Sequence, residues 1–223
     1  MKLIVAIPAR SGSKSIKNKN ILIYKKKPLI YHSISLALKS KLVDRVIVST
    51  DSKKYQKLSI NFGAEAPFLR PKKYSRDKSN DSEWIYHLIN YLKKNENYIP
   101  DYIIHLRATS PNRNIKIFEK GISHFLKNKN YATSMRSVSI FSQPPEKFFW
   151  KKGEFLMGYF DNKLKGEYHS RARQDYKQAY LPNGYIDILN VNFLLQKRGI
   201  YGNKILSYIT ERTMDIDTLD DIE

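Results

Sequence analysis

From residue 1 to about residue 135 the chain alternates short apolar runs with segments of helical period. That alternation restricts it to a largely parallel sheet with helices on both faces. The runs at 3–8, 44–51, 101–106 and 131–135 read as strands. Helices are expected from Pro28 through Leu38, and over 52–61 with Gly63 as the stop. Two more are expected, one from Asp81-Ser82-Glu83, read as its cap, along Trp84, Ile85, Leu88, Ile89 and Leu92, and one over 115–125. Residues 64–69 read as extended, and 70–80 as a long polar loop. In such sheets ligands sit beyond the carboxyl ends of the strands. Three polar tips fall there: the loop 10–20, Asp51, and the stretch 107–113.

The first of these tips holds the clearest chemistry. The run Leu3-Ile4-Val5-Ala6-Ile7-Pro8 empties into Ala9-Arg10-Ser11-Gly12-Ser13-Lys14-Ser15-Ile16-Lys17-Asn18-Lys19-Asn20, which carries four cations, several hydroxyls and no acid. A small, basic, hydroxyl-rich loop after a strand suits phosphate, because backbone N–H groups and lysines can converge on its oxygens. Gly12 would let the backbone approach a ligand. The spacing is not that of a Walker A loop. A solvated basic turn is the alternative reading of the same residues.

The second half is less regular. Between 136 and 181 the alternation breaks into a segment rich in aromatics and arginine, with Pro144-Pro145 and Phe148-Phe149-Trp150. We expect one domain over 1–223, with 137–180 as an arm that packs on a second subunit, since aromatics and arginine are enriched at interface cores; a surface loop of one monomer is the alternative. Strands return at 183–189 and 205–209. There is no apolar run near the roughly 18 residues that cross a bilayer. The N-terminal run is interrupted by Pro8 and Arg10, unlike an export signal, so no membrane association and a cytoplasmic location are expected. With no cysteine, disulfides, thiolate metal sites and cysteine nucleophiles are excluded.

Forty basic against 21 acidic residues give a net charge of +19, which raises polyanionic partners as a class. The lysines are scattered, and no recognition-helix or RNP-type motif accompanies them, so nucleic acid is not the expected partner. Asp215-Ile216-Asp217 is the best metal candidate. In extended chain, residues i and i+2 point the same way, and paired carboxylates joined by substrate phosphates suit magnesium. A capping role at a last helix, through Asp217 or Thr218, is the alternative. The five histidines show no ligand spacing and read as core or helix-surface residues.

Six stretches, in order, resemble the acylneuraminate cytidylyltransferase family, the CMP-sialic-acid synthetases and their relatives for legionaminic and pseudaminic acids. They are the opening Ile7-Pro8-Ala9-Arg10 with Ser13-Lys14 and Lys19-Asn20; Val48-Ser49-Thr50-Asp51; Leu69-Arg70-Pro71 with Asp77; Leu106-Arg107-Ala108-Thr109-Ser110-Pro111-Asn112-Arg113; Arg173-Gln174 with Pro182-Asn183-Gly184; and Asp215-Ile216-Asp217-Thr218. The chain departs from the family pattern at Ser15, where glycine is usual, and at Ala108 and Ala172, where proline is common. It also closes soon after the aspartate pair, so a final helix that is short or missing is expected.

The resemblance implies an α/β fold, a three-layer α/β/α Rossmann-like nucleotide-diphospho-sugar transferase with a mostly parallel sheet and a protruding dimerisation arm. It implies a reaction in which a nonulosonic acid attacks the α-phosphate of CTP and pyrophosphate leaves, with Mg2+ as cofactor and a homodimer as the assembly. Arg10, Lys19 and Asp217 would be catalytic. Arg10, Ser13, Lys14, Asn20, Arg70, Asp77 and Ser79 would bind nucleotide, Arg107, Arg173 and Gln174 the sugar, and Asp215 and Asp217 the metal. The alternatives are a CMP-Kdo synthetase-like or other sugar nucleotidyltransferase and, outside enzymes, a basic nucleic-acid-binding protein.

Overall fold

The computed structural model describes residues 1–196, 199–218 and 220–222. Among the described residues ten strands and five α-helices follow one another as β1 (Leu3–Pro8), β2 (Ile23–Tyr24), β3 (Lys27–Pro28), α1 (Leu29–Lys39), β4 (Arg45–Ser49), α2 (Lys53–Asn61), α3 (Asp81–Glu96), β5 (Tyr102–His105), α4 (Ile115–Asn128), β6 (Ser134–Phe141), β7 (Phe149–Lys152), β8 (Phe155–Gly158), β9 (Ala179–Asn190), α5 (Val191–Leu195) and β10 (Ile205–Ile209). Six strands form the main sheet in the order β10-β6-β9-β5-β1-β4. All neighbours in it are parallel except β9, which runs antiparallel to both β5 and β6.

The continuous apolar run of β1 reflects burial on both faces. Leu3, Val5 and Ile7 pack with Ile30, Ile34 and Ala37 of α1 and Phe118, Ile122 and Phe125 of α4. Ile4 and Ala6 face the other way, onto Trp84, Ile85, Leu88, Ile89 and Leu92 of α3 and Leu194 of α5. Three layers result, as expected. Full burial of each such Leu or Ile contributes roughly 1.5–3 kcal/mol. α3 is capped by Asn80, whose side chain accepts from the Glu83 N–H at 3.3 Å; Asp81, expected as the cap, instead takes the Trp84 indole N–H at 3.0 Å.

The strand expected at 131–135 begins only at Ser134, and two strands run further than the sequence pattern indicated. β6 continues to Phe141 and β9 begins at Ala179, so the ends of the expected 137–180 arm belong to the sheet. Beyond them β7 and β8 pair as an antiparallel hairpin that exposes Phe149, Trp150, Phe155 and Leu156. The β6–β9 register shifts between Arg136 and Val138. There Gly184 adopts φ +66°, a left-handed conformation that favours glycine, and the Ser137 hydroxyl takes the Ile186 N–H at 2.9 Å.

Candidate active site

The loop after β1 is braced by its neighbours. Asp51, at the end of β4, accepts from the Ser11 N–H at 2.8 Å and faces the Ser11 hydroxyl at 3.2 Å. Asn20 is buried and donates to the Arg10 carbonyl at 2.9 Å, closing the loop on itself. Gly12 has an ordinary φ, and a Cβ there would meet nothing within 4 Å, so the fold itself does not demand glycine.

Ile16, Tyr24, Leu29 and Ile216 form a small separate core, with Ile216 fully buried and its N–H bonded to the Thr109 carbonyl at 2.9 Å. With the middle residue turned inward, Asp215 and Asp217 on either side both line a cavity of about 470 Å³ together with Arg10, Ser13, Lys14, Ser15, Lys19, Asn20, Arg107 and Thr109. Lys19 Nζ lies 2.8 Å from Asp217 Oδ1, and Arg107 Nη1 lies 4.0 Å from Asp215 Oδ2. The other Asp215 oxygen is buried without a hydrogen bond among the described residues. Two carboxylates sharing one cavity, one of them with a free buried oxygen, form a donor set suited to a hard cation. The described residues hold no cluster of three or more acidic, histidine or cysteine side chains, so further ligands would come from water or substrate. Asp221, given no role by the sequence reading, holds the segment by accepting from the N–H groups of Asp217 and Thr218 at 2.9 and 2.7 Å.

A second cavity, of about 240 Å³, continues from the first past Arg10, Asn20, Arg107 and Thr109. Its inner wall is formed by Arg70, Ser79, Asp81, Trp84 and His105. The segment 64–69 adds alongside β4 through bridges at Glu65 and Leu69, and the Arg70 N–H bonds to the Thr50 carbonyl at 2.7 Å. Arg70 is only 5% exposed, and its Nε and Nη2 have no hydrogen-bond partner among the described residues. Burial lowers its pKa to about 10, so it remains a cation at neutral pH. His105 is 3% exposed with Nε2 unpartnered, and burial lowers its pKa and favours the neutral ring. It lies opposite Asp187 of β9, itself opposite Arg136 of β6, and Tyr201 donates to Asp187 at 2.9 Å, so a polar row runs behind the cavity.

Asp77 pairs with two of the cations that line these cavities. It accepts from Arg10 at 2.8 Å and from Lys14 at 2.9 Å. The hydrogen bond from Lys14, and then that from Arg10, hold its carboxyl below the usual carboxylate range. The structure therefore brings together every expected site residue except Arg173 and Gln174. These two lie on the arm, in a separate pocket with Phe141, Pro144 and Tyr176, away from Arg107.

Arg113 lacked an expected role. Its guanidinium donates to the carbonyls of Tyr185 (2.7 Å), Gly184 (2.8 Å), Arg107 (3.1 Å) and Ser110, and to the Ser33 hydroxyl (3.0 Å). It thus clamps the 107–113 stretch to the β9 bulge. Burial lowers its pKa to about 10.

A cytidylyltransferase family profile matches residues 4–218. The chain is 32% identical to the pseudaminic acid cytidylyltransferase of Campylobacter jejuni, over 100% of this chain and 94% of that protein. It is 30% identical to the N-acylneuraminate cytidylyltransferase of Escherichia coli, again over 100% of this chain but about half (51%) of that longer protein. In structure it resembles CMP:2-keto-3-deoxy-manno-octonic acid synthetase complexed with CTP, with a TM-score of 0.68 at 16% identity over 98% of this chain and 94% of that one. It also resembles 4-diphosphocytidyl-2C-methyl-D-erythritol synthase, with a TM-score of 0.66 at 10% identity over 99% and 94%. The match over nearly the whole chain, with the loop cations and paired aspartates in one cleft, places this protein in the cytidylyltransferase family of nucleotidyltransferases.

Proposed function

We propose that the protein couples CTP to a nonulosonic acid of the sialic, legionaminic or pseudaminic type, releasing pyrophosphate and the CMP-sugar. The carrying observation is the convergence of Arg10, Lys14, Lys19, Asp215 and Asp217 on one cavity beside the unpaired guanidinium of Arg70. Arg10, Lys14 and Lys19 hold the triphosphate and offset the charge that builds on the departing pyrophosphate. Ser13 and Asn20 line the same wall, and Arg70 and Ser79 face the nucleoside. The anomeric hydroxyl oxygen of the sugar forms the new bond to the α-phosphorus, the bond to the β-phosphate bridging oxygen breaks, and the hydroxyl proton passes to solvent. Asp215 and Asp217 are the residues that would hold magnesium. When bound, the ion supplies charge neutralisation and lowers the pKa of a coordinated hydroxyl.

Arg107 is placed to receive the sugar carboxylate, as a guanidinium does well. Arg173 and Gln174 lie away from this cleft in their own chain. In our reading the arm carries them to the cleft of a second subunit in a homodimer, and its exposed Phe149, Trp150 and Phe155 supply the contact.

The test is pyrophosphate release from CTP with magnesium and, in turn, N-acetylneuraminic, legionaminic, pseudaminic and 3-deoxy-manno-octulosonic acids. Turnover with one of the first three supports the proposal. Turnover only with the last moves the enzyme to the CMP-Kdo branch, and no turnover with any of them rejects it.

A further inference from the structure

Arg70 and Asp81 are opposite charges lining one cavity, yet they make no ion pair with each other. Arg70 presents two unbonded nitrogens. Asp81 is oriented by the Trp84 indole, which occupies Oδ1 at 3.0 Å, and its other oxygen takes no hydrogen bond among the described residues. An acid in the first turn of α3 would be explained by the helix dipole alone. The buried, unpartnered nitrogens of Arg70 and His105 on the same wall are not explained that way, and they call for a ligand with its own polar edge.

We infer that Asp81, held by Trp84, is the residue by which the enzyme selects cytosine over uracil; this deepens, and rests on, the function proposed above. The pyrimidine edge of cytosine offers an amino donor followed by two acceptors, the ring nitrogen and the carbonyl. A carboxylate beside a guanidinium is its complement: Asp81 accepts from the amino group, and the Arg70 nitrogens donate to the two acceptors. Uracil presents a carbonyl to the carboxylate and an N–H to the guanidinium, and so meets repulsion at both positions. The carboxylate form is favoured. Desolvation raises the Asp81 pKa, but nearby positive charge and the indole hydrogen bond outweigh it and leave the pKa below the ordinary value. His105, neutral and packed edge-on to Trp84 at 5.2 Å between centroids, backs the wall without adding charge.

The test is calorimetric titration of CTP and of UTP, with no sugar present, on the wild type and on Asp81→Asn. Asparagine keeps the oxygen that receives the Trp84 N–H but turns the free end from acceptor to donor. The wild type should prefer CTP, and Asp81→Asn should lower that preference at least tenfold by weakening CTP and strengthening UTP. Asp81→Ser should lose CTP affinity without gaining UTP. Melting temperatures confirm that each variant is folded. An unchanged CTP-to-UTP ratio in folded Asp81→Asn, or an equal loss for both nucleotides, overturns the inference while leaving the proposed function standing. A wild type that binds neither nucleotide overturns both.

Discussion

Burying the Arg70 guanidinium with two nitrogens unbonded costs the folded state free energy that no partner among the described residues returns. Arg70→Met should therefore melt at the same temperature as the wild type or above it, while CTP affinity falls at least tenfold by calorimetry. A lower melting temperature with unchanged affinity would make Arg70 structural. The loop cations follow a different logic, because their acidic partners are ones a substrate can replace. Arg10→Ala and Lys19→Ala should nearly abolish turnover with circular dichroism unchanged. Asp215→Asn and Asp217→Asn should lose most activity at low magnesium and regain part of it at high magnesium. An unmoved magnesium midpoint would remove the metal role. These residues were legible in the sequence because each sits in a short motif whose chemistry is local. Asp81, His105 and Arg113 were not, since their roles depend on strand register and on helix placement, which leave no mark within a few residues of each.

At the scale of elements, helical period and apolar runs located β1, β4, β5 and the four longer helices to within a few residues. β6 and β9 were only half legible. The far end of β6 alternates between buried and more open positions, that of β9 is exposed over 180–182, and the register shift at Arg136 and Val138 interrupts the pattern. That same irregularity turns the Gly184 and Tyr185 carbonyls toward Arg113. Arg113→Met would strand several carbonyls and release the 107–113 stretch. We expect a loss of about 3 kcal/mol or more, read as a lower urea midpoint, together with reduced turnover as Arg107 loses its place. A midpoint within experimental error of the wild type would show that the clamp is dispensable.

For the whole molecule, the proposed homodimer makes the arm the contact between subunits. Light scattering at micromolar concentration should give the mass of a dimer, and Trp150→Glu should shift it toward a monomer and cut turnover; a monomeric wild type would remove the interface and the partner role of Arg173. Within one subunit, Lys19 and Asp217 meet although they lie 198 positions apart in sequence, and the contact depends on one small core around Ile16 and Ile216. If residues 213–218 dock in an equilibrium of their own, the metal affinity of the proposed site would be the intrinsic affinity scaled by the fraction of molecules in which that segment is seated. Ile216→Ala changes no charge, but it removes about 2–4 kcal/mol of apolar packing. It should raise the magnesium concentration needed for activity and hasten amide exchange at position 216. A buried methyl group would then set how much magnesium the enzyme requires.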